Sequence, residues 1–170
     1  MQLAEAATRA EELARSNGAE RELATLRAQW DDEIEAAARS GDYRVRGLAY
    51  RAIAQFRFRQ KLELLRRGLE DESPACRGSA LVSLELLSRD GHPAPVNGVR
   101  SLLHRLLTTD DNQAVRRLAA LTLKNGSPQR ETIVLLEGLA DDDRLERPLR
   151  EATARVAALL KKRLGAAAGR

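Results

Sequence analysis

Apolar residues recur along the chain at three- and four-residue spacings, interrupted by acidic, glycine or proline punctuation, and this period predicts helices throughout. Residues 1–16 form a first helix with Leu3, Ala7, Ala10 and Ala14 on one face, ended by Asn17-Gly18, residues that tolerate a left-handed backbone. A second helix carries Leu23, Leu26, Trp30, Ile34 and Ala37 or Ala38 on one stripe. After Ser40-Gly41, Asp42 stands as the N-cap of a helix over about 43–57 with Val45, Ala49, Ala52, Ile53 and Phe56 inward. Leu62, Leu65 and Leu69 mark the next helix. A turn at Asp71 to Ser73 then leads into Ser73-Pro74, a capping serine and a proline at a position whose N–H has no partner anyway, followed by the inward set Cys76, Ala80, Leu84 and Leu87.

Gly91-His92-Pro93-Ala94-Pro95 is the strongest break, since each proline removes a donor and biases its predecessor away from helical geometry. Beyond it, Leu102, Leu103, Leu106 and Leu107 pair with Val115, Leu118, Ala119 and Leu123. After Asn125 to Pro128, Ile133, Leu136 and Leu139 pair with Leu149, Ala152, Val156 and Leu159 or Leu160. Asp143 and Glu146 spell a capping box, but Pro148 would break a helix begun there, which places the last helix start near Pro148.

One local pattern occurs four times: an acidic turn, then a small apolar residue and an arginine, then a small residue four positions after the apolar one. The four copies are Asp42 with Val45-Arg46 and Ala49, Asp71 with Cys76-Arg77 and Ala80, Asp110 with Val115-Arg116 and Ala119, and Asp141 to Asp143 with Leu149-Arg150 and Thr153. The apolar anchors are 31, 39 and 34 residues apart, within the range of stacked helical hairpins.

Short antiparallel helix pairs, an aspartate in the turn, an apolar-arginine pair opening the second helix and an alanine four residues on together resemble the HEAT repeat family. The resemblance covers about residues 19–164, is clearest at Asp110 to Ala119, and is weakest in the fourth unit, where Pro148 and a longer acidic turn depart from the pattern. It implies an all-α fold, a right-handed α-α superhelix of about four hairpins at 19–57, 61–89, 98–124 and 128–164, with residues 1–16 as a capping helix and 165–170 as a flexible tail. It also implies a ladder between neighbouring repeats, in which Asp42, Asp71, Asp110 or Asp111, and one of Asp141 to Asp143 face Arg46, Arg77, Arg116 and Arg150. An aspartate near a helix N-terminus is favoured by the dipole and unpaired amides, and an arginine fork can bridge adjacent turns. These arginines are therefore expected to be structural.

Composition narrows the function further. At 170 residues and 43% hydrophobic the chain is expected to form one domain. The single cysteine, Cys76, fits a reducing compartment, and no apolar run is long enough for a secretory signal or a membrane span, so a cytoplasmic protein with no membrane partner is expected. Cys76 lies on an anchor position and reads as a core residue. His92 sits in a turn and His104 in a leucine-rich helix, with no second histidine or carboxylate at metal-ligand spacing. No phosphate-cradling loop, nucleophile-base arrangement or His-Glu dipeptide is legible, so neither catalysis, nor a metal, nor a cofactor is expected.

The net charge of +4 is carried by 25 arginines and only four lysines, a skew that codon composition can produce. Its distribution is more informative: residues 1–42 carry −5, residues 43–68 carry +7, and the remainder +2. Four of the five aromatics, Tyr43, Tyr50, Phe56 and Phe58, also fall within 43–68. Arginine beside exposed aromatics is the composition of protein hot spots and of nucleic-acid contacts. The candidate partner-binding residues are Arg44, Tyr50, Arg51, Arg57, Phe58, Arg59, Lys61, Arg66 and Arg67. The leading expectation is a non-enzymatic scaffold, monomer or weak homodimer, that binds a protein through this region and the helix near 77–89. Sequence-nonspecific nucleic-acid binding ranks second, and a lyase or glycosylase of the helical-repeat kind third.

Overall fold

The computed structural model describes all 170 residues as an all-α protein. In chain order the helices are α1 (Leu3–Arg15), α2 (Glu20–Ala38), α3 (Tyr43–Gln55), α4 (Leu62–Leu69), α5 (Pro74–Leu87), α6 (Ala94–Asn97), α7 (Arg100–Thr109), α8 (Gln113–Leu123), α9 (Arg130–Ala140) and α10 (Arg147–Ala168). A single 3-10 turn, Arg59–Lys61, precedes α4. No helix is long and apolar enough to cross a membrane. The chain divides into two compact units, Met1–Leu87 and Ser88–Arg170.

In the first unit α2 packs against α3 and α4 against α5, so the two expected helix pairs form. The second helices of the pairs, α3 and α5, also pack on each other, and α1 lies against both α2 and α3. Enclosure of α3 by four helices follows from its sequence: Gly47, Ala49, Ala52 and Ala54 are small enough to admit close neighbours, and Tyr50 and Ile53 fill the remaining space. Gly68 permits a second close approach. A Cβ there would stand 2.9 Å from the Ala80 Cβ and 3.1 Å from the Tyr50 ring.

Most inward residues are where the periodicity places them, with Leu23, Trp30, Ile34, Ala49, Ile53, Phe56, Cys76, Ala80, Leu84 and Leu87 all buried. Val45 departs from expectation and is exposed. Its counterpart Cys76 is covered by the start of α3, donating from Sγ to the Tyr43 carbonyl at 3.1 Å, whereas α3 has no earlier second helix before its own first turn. In α1, Leu13 is buried and Ala14 only half-buried.

In the second unit α7 packs with α8 and α9 with α10, and α8 also packs on α10. The proline-rich break contains a short helix, α6: Pro93 precedes it and Pro95 lies in its first turn, where a missing N–H costs nothing. Helix α10 begins at Arg147, beside the expected Pro148, and runs to Ala168.

Candidate functional site

The fourfold pattern has one structural meaning at each turn. Asp42, Asp71, Asp110 and Asp142 each accept, through Oδ1, the backbone N–H two residues ahead: Arg44 at 2.9 Å, Ser73 at 2.9 Å, Asn112 at 2.9 Å and Arg144 at 3.1 Å. In the first three turns the carboxylate thus satisfies an amide at the start of the incoming helix, and in the fourth an amide of the turn that precedes it. Arg46, Arg77, Arg116 and Arg150 are each the fourth residue of a helix, and Ala49, Ala80, Ala119 and Thr153 are all fully buried three residues later.

Within the first unit one rung of the ladder is fully formed. Arg46 reaches the following turn and grips Asp71 with both arms, Nε to Oδ2 at 2.8 Å and Nη2 to Oδ1 at 2.9 Å, while Nη1 donates back to the carbonyls of Ser40 and Gly41. Arg77 repeats the backward contact, donating to the carbonyls of Asp71 and Glu72. Burial alone would raise the Asp71 carboxyl, but the Arg46 guanidinium and the Ser73 amide outweigh it and hold it below the usual carboxylate range. Asp42, however, pairs with its neighbour Arg44, and Asp142 with Arg144. Arg116 donates instead to the Leu107 carbonyl at 2.8 Å, and the buried Arg150 Nε has no hydrogen-bond partner. In the turns of Asp42 and Asp142 an arginine two residues after the aspartate holds the carboxylate locally, and at Asp142 the charge of Arg116 adds to the lowering of its pKa.

The arginine-aromatic segment divides into a buried and an exposed set. Tyr50 and Phe58, expected as exposed binding aromatics, are buried, as is Phe56. Tyr50 places its hydroxyl 3.4 Å from Asp71, and burial with the Asp71 charge pushes its pKa up. Phe58 stacks on Phe56 with ring centroids 5.9 Å apart. Lys61, expected on the binding surface, is also buried: it binds Asp31 and Glu35 and lies 5.1 Å from the Phe58 ring centroid. These three residues stabilise the first unit and do not present themselves to a partner. Of the aromatics only Tyr43 is exposed.

Arg44, Arg51, Arg59, Arg66 and Arg67 remain on the surface, with Arg57 half-buried. Arg44 is held by Asp42 and Arg66 by Glu63, both in exposed pairs. Arg51 and Arg67 engage no side-chain hydrogen bond or ion pair within the protein. Arg67 borders an open cleft shared with Arg39, Tyr50 and the Arg46–Asp71 pair.

A second cleft, of about 340 Å³, is lined by Arg27, Arg57, Arg59, Gln60, Glu20 and Leu23 among others. Its geometry comes from the end of α3. The Phe58 N–H donates to Ile53 and the Arg57 N–H to Ala54, each at 2.9 Å, the paired bonds of a Schellman motif. That motif requires a left-handed residue, ordinarily glycine, and here Arg57 fills it with φ of 56°. Three guanidiniums tie down the surrounding chain: Arg27 donates to the Arg57 carbonyl at 3.3 Å, Arg57 to the Ala54 carbonyl at 2.8 Å, and Arg59 to the Leu87 carbonyl at 2.8 Å. Arg27 also pairs with the exposed Glu20. Nothing in the sequence pattern singled out Arg27, because it lies in the acidic part of the chain.

The second unit holds a polar cluster that the pattern also concealed. Arg100 is buried and donates to the Asn97 side chain at 2.6 Å, the Ser127 carbonyl at 2.8 Å and the Thr132 hydroxyl at 3.0 Å. His104 Nε2 stands 2.9 Å from the same hydroxyl, and burial lowers its pKa, with Arg100 adding and Glu131 opposing. Gly126 makes room: a Cβ there would meet Val96 at 2.8 Å and the Arg100 guanidinium at 3.2 Å. No group of three or more His, Cys, Asp or Glu side chains is placed to hold a metal ion. No protein-family model, curated protein or solved structure matches the chain.

Proposed function

We propose that the protein is a non-enzymatic interaction module that binds a partner protein through the arginine-rich surface of its first unit. The observation carrying this reading is that Arg51 and Arg67 stand on the surface of α3 and α4 without an internal partner, within a 26-residue segment of net charge +7. Unpaired guanidiniums contribute little to folding, whereas planar forks with five donors serve recognition of carboxylates and phosphates. HEAT-like pairing is supported by the stacking of α3 on α5 and of α8 on α10, which repeats one element order in each unit.

A protein partner ranks above nucleic acid because the aromatic faces that would stack on bases are withdrawn: Tyr50, Phe56 and Phe58 are buried, as is Trp30. The test is affinity capture from nuclease-treated lysate with the wild-type chain and with Arg51→Glu/Arg67→Glu. A protein recovered by the wild type and lost by the charge-reversed variant is the expected result. Equal recovery by both would sink the surface assignment, and recovery that disappears with nuclease treatment would favour the nucleic-acid reading.

A further inference from the structure

We propose that the cleft lined by Arg27, Arg57 and Arg59 binds a phosphate monoester carried by the partner protein, a phosphorylated serine or threonine side chain. The proposal rests on the reading that the first unit engages a protein partner. Three separate elements deliver these arginines to one cleft: helix α2, the left-handed end of α3, and the 3-10 turn. Glu20 is the only acidic residue in the lining, leaving an excess of two positive charges. A phosphorylated serine or threonine carries between about −1.5 and −2 at neutral pH and offers three acceptor oxygens, matching that excess in one group. A single carboxylate matches only half of it.

The forks are anchored before any ligand arrives. Arg57 and Arg59 each spend one Nη1 bond on a backbone carbonyl, and each guanidinium has five donors, so most remain for a ligand. Anchoring also removes part of the ordering cost that binding would otherwise impose. The left-handed backbone of Arg57 points the same way. Glycine would satisfy the Schellman geometry without strain, yet an arginine occupies the position and lines the cleft. Backbone strain of this kind, placed beside a charged cleft, fits a side chain whose role is binding. A nucleic-acid backbone fits less well, because each phosphodiester carries one charge and no exposed aromatic flanks the cleft.

The direct experiment titrates the full-length chain with N-acetyl-phosphoserine amide, following the arginine Nε–Hε resonances of Arg27, Arg57 and Arg59 by NMR. Dimethyl phosphate, inorganic phosphate and unmodified N-acetyl-serine amide are run at equal ionic strength. Saturable shifts with the phosphoserine compound alone, or with inorganic phosphate more weakly, are expected. Arg57→Gly and Arg59→Gln should each weaken binding by about tenfold or more, as loss of a charge-assisted bond to a phosphate predicts. Arg57→Gly should do so while raising the melting temperature, which excludes misfolding as the cause.

Absence of saturation, equal shifts from dimethyl phosphate, tighter binding of inorganic phosphate than of the phosphoserine compound, or wild-type affinity in Arg57→Gly would each overturn the proposal. The parent reading fails separately. If Arg51→Glu/Arg67→Glu abolishes capture but phosphatase treatment of the lysate and Arg57→Gly leave it intact, the interaction surface stands and the phosphate site does not.

Discussion

Arg57 occupies a backbone conformation that costs an L-residue roughly 1–2 kcal/mol relative to glycine. Arg57→Gly should therefore stabilise the first unit by about 1 kcal/mol in chemical denaturation, and a destabilised variant would mean that the guanidinium contacts outweigh the strain. Asp71 makes a pH prediction whose sign is fixed by its depressed pKa. Its contribution to stability is complete above the ordinary carboxylate range, near pH 4 and higher, and is lost as pH falls through the lower folded value. Wild type should therefore melt several degrees above Asp71→Asn at pH 7, with the gap closing toward pH 2–3; a gap independent of pH would refute the role given to the Arg46–Asp71 pair. At this scale the sequence reveals residue types but not faces. The alternation of arginine with Tyr50 and Phe58 looked like a recognition surface, yet α3 is enclosed by four helices and Phe58 is folded back by a left-handed turn that arginine spells without the usual glycine.

Helix periodicity made the elements legible to within a few residues. Both pairs of the first unit and both of the second form where the apolar spacing places them, because an amphipathic stripe can be buried in few ways. Capping chemistry located Asp42 and the start near Pro148, since those signals are local. What escaped was tertiary or very local: Val45 needed an earlier helix to cover it, and the aspartates Asp42 and Asp142 are each held by the arginine two residues on. Gly68 belongs to the same class. In an isolated helix Gly68→Ala would gain up to about 1 kcal/mol, but here the new methyl would stand 2.9 Å from Ala80 and press on the Tyr50 ring. We expect a net destabilisation of roughly 1–2 kcal/mol, read from urea denaturation, and a stabilised variant would contradict the close approach of α4 to α5 and α3.

For the whole molecule, net charge conceals the relevant contrast. The acidic first 42 residues and the basic 43–68 segment share one compact unit, and part of that opposition is consumed internally, as Lys61 with Asp31 and Glu35 shows. The remainder is what we assign to a partner: Arg51 and Arg67 on the surface, and around a cleft Arg57 and Arg59, which bond only to backbone carbonyls, with Arg27, whose carboxylate partner is the exposed Glu20. The second unit is built from the same pairing of helices, but its buried arginine, Arg100, is bonded to neutral groups and faces inward. Hydrogen–deuterium exchange of the full chain with and without its captured partner tests this division most directly. Slower exchange in residues 56–62 and 70–73, with the second unit unchanged, is the predicted result; protection confined to Ser88–Arg170 would contradict the account.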